Sequence, residues 1–581
     1  MFKIFKYFRW QDWLGLAVIF LLTIAEVQCD LTMPEYMVKI IGSMQAGMPE
    51  VWKQGLIVLG FVLASIAISI IISFIASRIS SSLAKRLRKM VFEKVGTFSM
   101  AEINKFSIAS LITRSTNDIG QVQQVITMMM KLFLYAPIMA ISAIIKITNI
   151  NATLTWTTFG FILIMFVFVG VIMMLSLRKF MVMQKQTDDL NNVARENLTG
   201  IRVVRANNAE TLQESKFKQV NNKLTSTSLY LNRVTAFMFP GMQLIMNGLN
   251  LAIYWIGAEL ILNPSVMINY LQISEFSQYA VQVLMSFLFV GMLFVMLPRG
   301  NVSAKRILEV LNTMPSLTNG TETQSDNSER GVVEFKNVSF KYPDAQEYVI
   351  KNINFVAKQG QTVAFIGSTG SGKSTLINLV PRFYDPTDGE VYIDGKNIKE
   401  YKFSALNNKL GYIPQKSLLF GGTVKENITY GKEDATDADI AKALEVSQSK
   451  NFVDKLDGGL NFMVSQGGKN LSGGQKQRLS IARALVKNPE ILIFDDSFSA
   501  LDYKTDKALR KALKTNFENT TKLIVAQRIG TILDADQIIV LESGEMVGQG
   551  THQELMHNCE VYKQIALSQL SKEELENGTK Q

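Results

Sequence analysis

Cysteine and histidine are both scarce in this sequence. The 581 residues include two cysteines, Cys29 and Cys559, and two histidines, His552 and His557. Cys29 lies in an apolar run that is long enough to be embedded in a membrane, whereas Cys559 lies in a polar region near the end of the chain, so a disulfide bridge between them is implausible. A fold held together by disulfides is therefore excluded, and neither histidine is available for a role earlier in the chain.

Charged residues are nearly absent from several long stretches before about residue 300. Apolar runs such as "GLIVLGFVLASIAISIIISFIAS" and "TFGFILIMFVFVGVIMMLSL" approach the roughly 20 residues that a membrane helix requires. We therefore predict a helical transmembrane domain over 13–312. Its six spans are expected near 13–38, 55–80, 129–147, 154–178, 236–262 and 276–298.

The loops on one side of these spans are nearly free of basic residues. Basic residues flank the spans on the other side; they are Arg78, Lys85, Arg86, Arg88, Lys89, Arg178 and Lys179. By the positive-inside rule that side is cytoplasmic, and an even number of spans then places both termini inside. The opening "MFKIFKYFRWQDW" predicts an amphipathic elbow helix over 1–12 on the inner leaflet; a cleaved signal peptide is the poorer alternative because no small-residue cleavage site follows. No nucleic-acid-binding motif appears, and the net charge of +10 fits contact with anionic lipids.

The second half of the chain has the pattern of a soluble domain. A polar linker is expected over 313–331, and strand-like runs such as "TVAFIG", "ILIFDD" and "KLIVAQ" then alternate with helical patterns over 332–570. This alternation predicts a mostly parallel α/β sheet, in which ligands gather at the carboxyl ends of the strands. A polar tail is expected over 571–581.

A phosphate-binding loop follows the strand "TVAFIG". The stretch "GSTGSGKST" fits the pattern G-x-x-x-x-G-K-[ST], and its residues are Gly367, Ser368, Thr369, Gly370, Ser371, Gly372, Lys373, Ser374 and Thr375. Glycines let backbone N–H groups wrap phosphates, while Lys373 can reach the terminal phosphates and Ser374 can bind Mg²⁺. We therefore predict that ATP and Mg²⁺ are the cofactors.

Two further motifs complete the predicted nucleotide chemistry. Asp495 ends the apolar strand "ILIFDD", where a carboxylate can hold the magnesium shell. The stretch "LSGGQKQR" places a serine and two glycines before a helix, which indicates a second anion-binding end. Because the domain already has one phosphate loop, the second site suggests a nucleotide shared between two such domains.

Together the motifs "GSTGSGKST", "YIPQ", "LSGGQ", "ILIFDD" and "SALD", in this order and after six spans, resemble an ATP-binding-cassette exporter half-transporter. The fold implied is an all-α six-helix transmembrane domain followed by an α/β P-loop nucleotide-binding domain. The resemblance implies that Tyr342 stacks on adenine and that Gln415 senses Mg²⁺, so that the metal residues are Ser374, Gln415 and Asp495. It further implies that Ser472, Gly473, Gly474 and Gln475 bind ATP held by the opposite subunit, that the loop Ser499 to Asp502 crosses the dimer interface, and that coupling helices lie near 103–113 and 208–218.

The sequence departs from the family pattern at catalytic positions. Asp496 stands where the family places its catalytic glutamate, and an aspartate is a weakened general base because its side chain is one methylene shorter. Gln527 stands at the switch position, where the family places a histidine, and an amide cannot carry a titrating charge. Gln466 stands where exporters of this family often have a glutamate, and we infer no function from this change alone.

The catalytic residues are altered while the binding motifs are intact. In this respect the chain resembles the degenerate-site subunit of a heterodimeric bacterial multidrug exporter. The resemblance implies a partner half-transporter that carries the catalytic glutamate and the switch histidine, with the bacterial inner membrane as the location. The expected substrates are hydrophobic or cationic small molecules, and Glu26 and Asp30, four residues apart within the first span, are the substrate candidates. Solvation of both acids near the outer interface is the alternative. Two other functions remain open: a homodimeric lipid or peptide exporter with slow turnover, and an ATP-binding regulatory or channel-like module.

Overall fold

The chain divides into two units. The computed structural model describes residues 1–44, 47–262, 268–323 and 330–569. One unit comprises Met1–Lys94 and Ala109–Thr313, and the other comprises Val95–Ile108 and Met314–Gln581. The predicted tail at 571–581 and part of the predicted linker at 313–331 lie outside the described residues.

The first 312 residues are helical wherever the structure describes regular elements. The helices are α1 (Trp10–Ser43), α2 (Met48–Gly96), α3 (Met100–Phe106), α4 (Ile108–Ser115), α5 (Asn117–Met128), α6 (Leu134–Ile150), α7 (Ala152–Thr199), α8 (Ile201–Ala206), α9 (Glu210–Ala236), α10 (Met238–Leu262) and α11 (Tyr270–Asn312). Six segments of the described chain are long and apolar enough to cross a membrane: Trp10–Ser43, Met48–Gly96, Ile108–Ile150, Ala152–Thr199, Glu210–Leu262 and Tyr270–Gly291. The prediction of six apolar helices is confirmed.

The third of these segments is not a uniform α-helix. A π-helical stretch, Met129–Phe133, separates α5 from α6, and Pro137 lies inside α6. Proline has no N–H to donate to the carbonyl four residues earlier, which here belongs to Phe133. The wider π-helical turn lies just where the regular hydrogen-bond ladder loses this donor.

The amino-terminal segment differs from the predicted amphipathic α-helix over 1–12. It forms a short 3₁₀ helix, Phe2–Tyr7, and α1 then begins at Trp10. The carboxylate of Asp12 accepts a hydrogen bond from Arg9 N at 2.8 Å and also pairs with Arg86 of α2. Capping by Asp12 fixes where α1 starts and so ends the preceding segment early.

The second unit contains α/β architecture. Its strands are β1 (Val333–Phe340), β2 (Ile350–Ala357), β3 (Thr362–Gly367), β4 (Asp388–Ile393), β5 (Lys396–Asn397), β6 (Leu410–Ile413), β7 (Gly422–Thr423), β8 (Met463–Val464), β9 (Ile491–Asp495), β10 (Thr521–Val525), β11 (Gln537–Glu542) and β12 (Glu545–Gly550). Its remaining helices are α12 (Lys373–Ile377), α13 (Phe403–Lys409), α14 (Val424–Thr429), α15 (Asp437–Val446), α16 (Lys450–Val453), α17 (Gly473–Leu485), α18 (Tyr503–Asn516), α19 (His552–Asn558) and α20 (Glu560–Gln569). The predicted α/β fold of this domain is confirmed.

The main sheet of the second unit has the strand order β12-β11-β3-β10-β9-β6. The strands β11, β3, β10, β9 and β6 run parallel to one another, and β12 pairs with β11 in the antiparallel direction at one edge of the sheet. Every residue of β9 and β10 is buried, which is typical of a parallel sheet covered on both faces. A second, antiparallel sheet has the order β2-β1-β4-β5.

The short helix α3 belongs to the second unit and packs within it. Asn104 Nδ2 donates to the Tyr384 hydroxyl at 3.1 Å, and Glu102 Oε1 accepts from Ser316 N at 3.2 Å. The region 103–113, where one coupling helix is predicted, contains parts of two helices, α3 and α4. They are separated at Ser107, which adopts a left-handed φ of 60°. The second one, predicted at 208–218, coincides with the start of α9; the isolated short helix of that region is α8.

Replacing Phe335 tests the core of the antiparallel sheet. Phe335 is 2% exposed and its ring stacks on Phe355 at 4.6 Å between centroids. Phe335→Ala should lower the free energy of unfolding by about 3–5 kcal/mol, since it leaves a cavity. Thermal denaturation of the purified full-length chain measures the effect. Val356→Ala in the same sheet, at 40% exposure, is the matched control; equal melting of the two variants would contradict this description of the core.

Candidate nucleotide site

The parallel strands of the main sheet bring four loops to one edge. In the order β3, β10, β9 and β6, neighbouring strands are all parallel, so their carboxyl ends point the same way. These ends are Gly367, Val525, Asp495 and Ile413. The phosphate loop, the aspartate pair, Gln527 and Gln415 follow them directly, and these predicted site residues therefore meet at one edge.

The phosphate loop has the backbone shape that wrapping an anion requires. Gly372 adopts φ +94°, and a Cβ placed there would lie 2.7 Å from Ile350 Cγ2, so only glycine fits. Lys373 Nζ donates to Gly367 O at 2.9 Å and to Ser368 O at 2.7 Å. Burial lowers the pKa of Lys373 from its usual value. Its ammonium group is therefore held over the loop by carbonyls that a phosphate can replace.

Two of the three residues predicted to hold magnesium are in contact with each other. Ser374 Oγ donates to Asp495 Oδ1 at 2.6 Å, and Asp495 is 6% exposed. Burial raises the pKa of Asp495, and the neighbouring Asp496 carboxylate adds to this. A hydroxyl beside a carboxylate suits Mg²⁺, which takes oxygen ligands and few protein groups when phosphates complete its shell. No group of three or more His, Cys, Asp or Glu side chains that could hold a metal occurs in the described ranges.

The second aspartate is held by two neutral amides. Gln527 Nε2 donates to Asp496 Oδ2 at 2.6 Å, and Gln415 Nε2 donates to the same oxygen at 3.1 Å. Gln415 is thus brought to Asp496, whereas sequence reasoning grouped it with Ser374 and Asp495. Burial raises the pKa of Asp496. Its backbone has φ +49°, a left-handed conformation that aspartate tolerates better than most residues.

Tyr342 lies beside the phosphate loop. Its hydroxyl is 3.0 Å from Thr375 Oγ1, and its ring makes edge-to-face contacts with Phe340 and Tyr384 at 5.0 and 5.4 Å. These contacts fix the ring plane without covering the whole side chain, which is partly exposed. An aromatic ring held in this way can stack on a nucleobase.

The "LSGGQ" stretch forms the start of α17. Ser472 accepts from Gln475 N at 3.3 Å and Gln475 Oε1 accepts from Ser472 N at 2.9 Å, so the two residues form a capping box. Ser472 and Gly473 are exposed. Asp502 caps α18 by accepting from Thr505 N at 3.0 Å, and this bond lowers the pKa of Asp502. The serine, the glycines and the helix N-terminus together can bind an anion from outside the unit.

The two substrate candidates of the first span, Glu26 and Asp30, lie in the first unit, away from the ends of α1. Asp30 is 13 residues before the end of α1 at Ser43, about 20 Å along the helix. Its Oδ1 accepts from Ser65 Oγ at 2.6 Å and its Oδ2 accepts from the Tyr135 hydroxyl at 2.8 Å. Glu26 interacts electrostatically with Lys131. Sequence reasoning missed these partners, although a lysine within the apolar run "ITMMMKLFLY" was a visible signal.

Comparisons with known proteins agree with both halves. Residues 350–499 match the family described as ABC transporter, and residues 16–287 match the ABC transporter transmembrane region. The uncharacterized ABC transporter ATP-binding protein YfiB of Bacillus subtilis is 36% identical over 574 residues, which cover 96% of each chain. A putative multidrug export ATP-binding/permease protein of Staphylococcus aureus is 32% identical over 484 residues, which cover 82% of each.

The fold also matches a solved structure. A bacterial Atm1-family ABC exporter with ATP bound superposes with a TM-score of 0.79 at 24% identity, covering 97% of this chain and all of that one. The architecture is therefore that of an ABC exporter. The chain belongs to the ABC transporter family, and its nucleotide-binding domain is that of an ATPase coupled to transport across a membrane.

Removing the ring of Tyr342 tests its predicted contact with adenine. Tyr342→Leu should weaken ATP binding about tenfold or more, because one base-aromatic stack contributes roughly 1–3 kcal/mol. Tyr342→Phe keeps the ring and loses only the bond to Thr375, so its ATP affinity should stay near that of the wild type. Equilibrium titration of the full-length chain with a fluorescent ATP analogue measures both variants. Equal affinities for Leu and Phe variants would argue against stacking.

Proposed function

We propose that this chain is the degenerate-site half of a heterodimeric exporter of hydrophobic or amphipathic compounds. The observation that carries the proposal is the arrangement around Asp496, where Gln527 and Gln415 both donate to Oδ2. A general base must lie within hydrogen-bond reach of its water, and a misplacement of about 1 Å can cost on the order of a hundredfold. The side chain of Asp496 is one methylene shorter than that of glutamate, so its carboxylate lies farther from the water. In addition, two amides donate hydrogen bonds to one of its oxygens.

Gln527 supplies a different contact from the histidine that it replaces. Its amide can donate to a terminal phosphate but cannot become positively charged near neutral pH. The contacts of Lys373 with the phosphate-loop carbonyls and of Ser374 with Asp495 support binding of ATP with Mg²⁺ at this site. The site built from the phosphate loop and the aspartate pair thus binds ATP and turns it over slowly. Asp495 supports the metal, and Asp496 acts as a weakened base.

The partner in this proposal is a second half-transporter with a catalytic glutamate and a switch histidine. The exposed Ser472 and Gly473 at the start of α17 complete the competent site on that partner, and Asp502 lies in the loop between the two subunits. ATP binding closes the two nucleotide-binding domains and turns the membrane cavity outward, and hydrolysis at the partner's site resets it. Basic residues at one end of the spans support an orientation with both termini in the cytoplasm, and the bacterial relatives support placement in a bacterial inner membrane.

The substrate class follows from Asp30 and Glu26. Acids within a membrane span are costly, and they commonly mark a pathway for ions or charged ligands. The relative of S. aureus that is named for multidrug export supports varied small molecules, and the two acids favour those that carry a positive charge. Asp30 is the principal contact, because Ser65 and Tyr135 orient its carboxylate.

ATP turnover of this chain, purified alone and co-purified with its partner, tests the heterodimer. Turnover alone should be negligible, and the partner should raise it strongly. Asp496→Glu combined with Gln527→His should raise turnover by about tenfold to a hundredfold at the site that was slow. Gln466→Glu, a third departure from the pattern without a contact to Asp496, is the control and should change little. Robust turnover by the unmodified chain alone would make the homodimer the leading account.

Efflux of a cationic dye from cells that express both subunits tests the role of Asp30. Asp30→Asn should reduce cationic-dye efflux about tenfold or more, because a charge-assisted contact is lost, while efflux of a neutral hydrophobic dye should persist. Glu35→Gln is the matched control, since Glu35 lies on the same helix but pairs with Lys39 at 2.8 Å. If Asp30→Asn affected both dyes alike, or neither, recognition of cations by Asp30 would be refuted.

A further inference from the structure

The last helix of the described chain presents one face to the main sheet. Tyr562 and Ala566 of α20 are both fully buried, and α20 packs against β3, β11 and the short 3₁₀ helix Ile529–Thr531. The Tyr562 hydroxyl is 2.7 Å from His552 Nδ1, which helps to fix this face. Gln569 follows Ala566 by three residues and Tyr562 by seven, and this spacing puts all three on the same side of the helix.

The side-chain amide of Gln569 makes two hydrogen bonds to the backbone of the loop that contains Gln527. Its Nε2 donates to Gln527 O at 2.8 Å, and its Oε1 accepts from Ile529 N at 2.8 Å. The two bonds flank Arg528. A side chain of α20 therefore spans the peptide groups on both sides of a single residue.

These bonds hold the part of the loop that lies between two other backbone anchors. Ala526 N donates to Phe365 O at 3.1 Å, which ties the end of β10 to β3. Thr531 N donates to Arg528 O at 3.2 Å, which closes the following 3₁₀ turn. Gln527 lies between these two anchors, and its amide in turn donates to Asp496 at 2.6 Å. A shift of about 1 Å in its backbone would break that contact.

We infer that Gln569 is a positioning residue that fixes Gln527 at the terminal phosphate of the nucleotide. The inference rests on the proposed role of Gln527 and adds the carboxyl-terminal helix to the site. The phosphate loop holds the phosphates that ATP and ADP share, and it does not contact Gln569 through any hydrogen bond of the described residues. Gln569 should accordingly affect the preference for ATP over ADP, and not nucleotide binding in general.

The test compares the affinities of the full-length purified protein for ADP and for an ATP analogue with a non-hydrolysable terminal linkage. Gln569→Ala should raise the Kd of the ATP analogue about threefold to tenfold, the range that losing a hydrogen bond produces, and should leave the Kd of ADP unchanged. Gln569→Glu keeps an acceptor for Ile529 N but has no donor for Gln527 O, so it should also lose the preference. Gln564→Ala is the matched control, because Gln564 is a glutamine of the same helix that is exposed, as Gln569 is, but makes no hydrogen bond to this loop among those of the described residues.

A variant of the switch residue separates the two ideas under test. If Gln527→Ala lowers the preference for ATP and Gln569→Ala does not, the positioning role of Gln569 is overturned and the proposed role of Gln527 stands. If Gln527→Ala leaves the preference unchanged, the role of Gln527 at the terminal phosphate fails, and the inference about Gln569 fails with it. A Gln569→Ala variant that binds both nucleotides more weakly by the same factor would show a merely structural contact and would also overturn the inference.

Discussion

The parallel pairing of β3, β10, β9 and β6 is the constraint on which the nucleotide site depends. Parallel neighbours end on the same side of a sheet, so the residues that follow them are brought together although they lie up to 160 positions apart, from Gly367 to Gln527. The register matters as much as the direction. Val525 lies opposite both Asp495 and Phe365, which sets the aspartate pair level with the phosphate loop. A slip of one residue would turn Asp495 away from Ser374.

In the proposed function, the site keeps the groups that bind a nucleotide and alters the groups that activate water. Ser374 and Asp495 share a short hydrogen bond, and Lys373 is held over the loop by carbonyls. At Asp496 the altered residues form a connected set, because the amides of Gln415 and Gln527 meet on one carboxylate oxygen. Two neutral donors stabilise that carboxylate without adding charge. On that proposal, Asp496 is less suited to proton transfer than its position beside Asp495 suggests.

In the membrane half, the cost of burying charge explains the polar contacts. Asp30 would be expensive in an apolar span, and it accepts hydrogen bonds at both oxygens from Ser65 and Tyr135. Tyr135, one of these donors, follows the π-helical stretch Met129–Phe133 by two residues. The irregular backbone of the third span thus lies close to this polar contact.

The sequence alone determined the six apolar spans, the α/β class and the identity of the nucleotide-binding motifs, because hydrophobic run length, strand-helix alternation and glycine spacing are local properties of the chain. Tertiary structure alone decided which side chains meet. Three such meetings depend on contacts between distant elements. Gln415 and Gln527 both donate to Asp496, Tyr135 donates to Asp30, and Gln569 donates to the backbone of Gln527. The break at Ser107 and the 3₁₀ form of Phe2–Tyr7 were equally unpredictable, since capping and packing outweigh local propensity when a helix is only a few residues long.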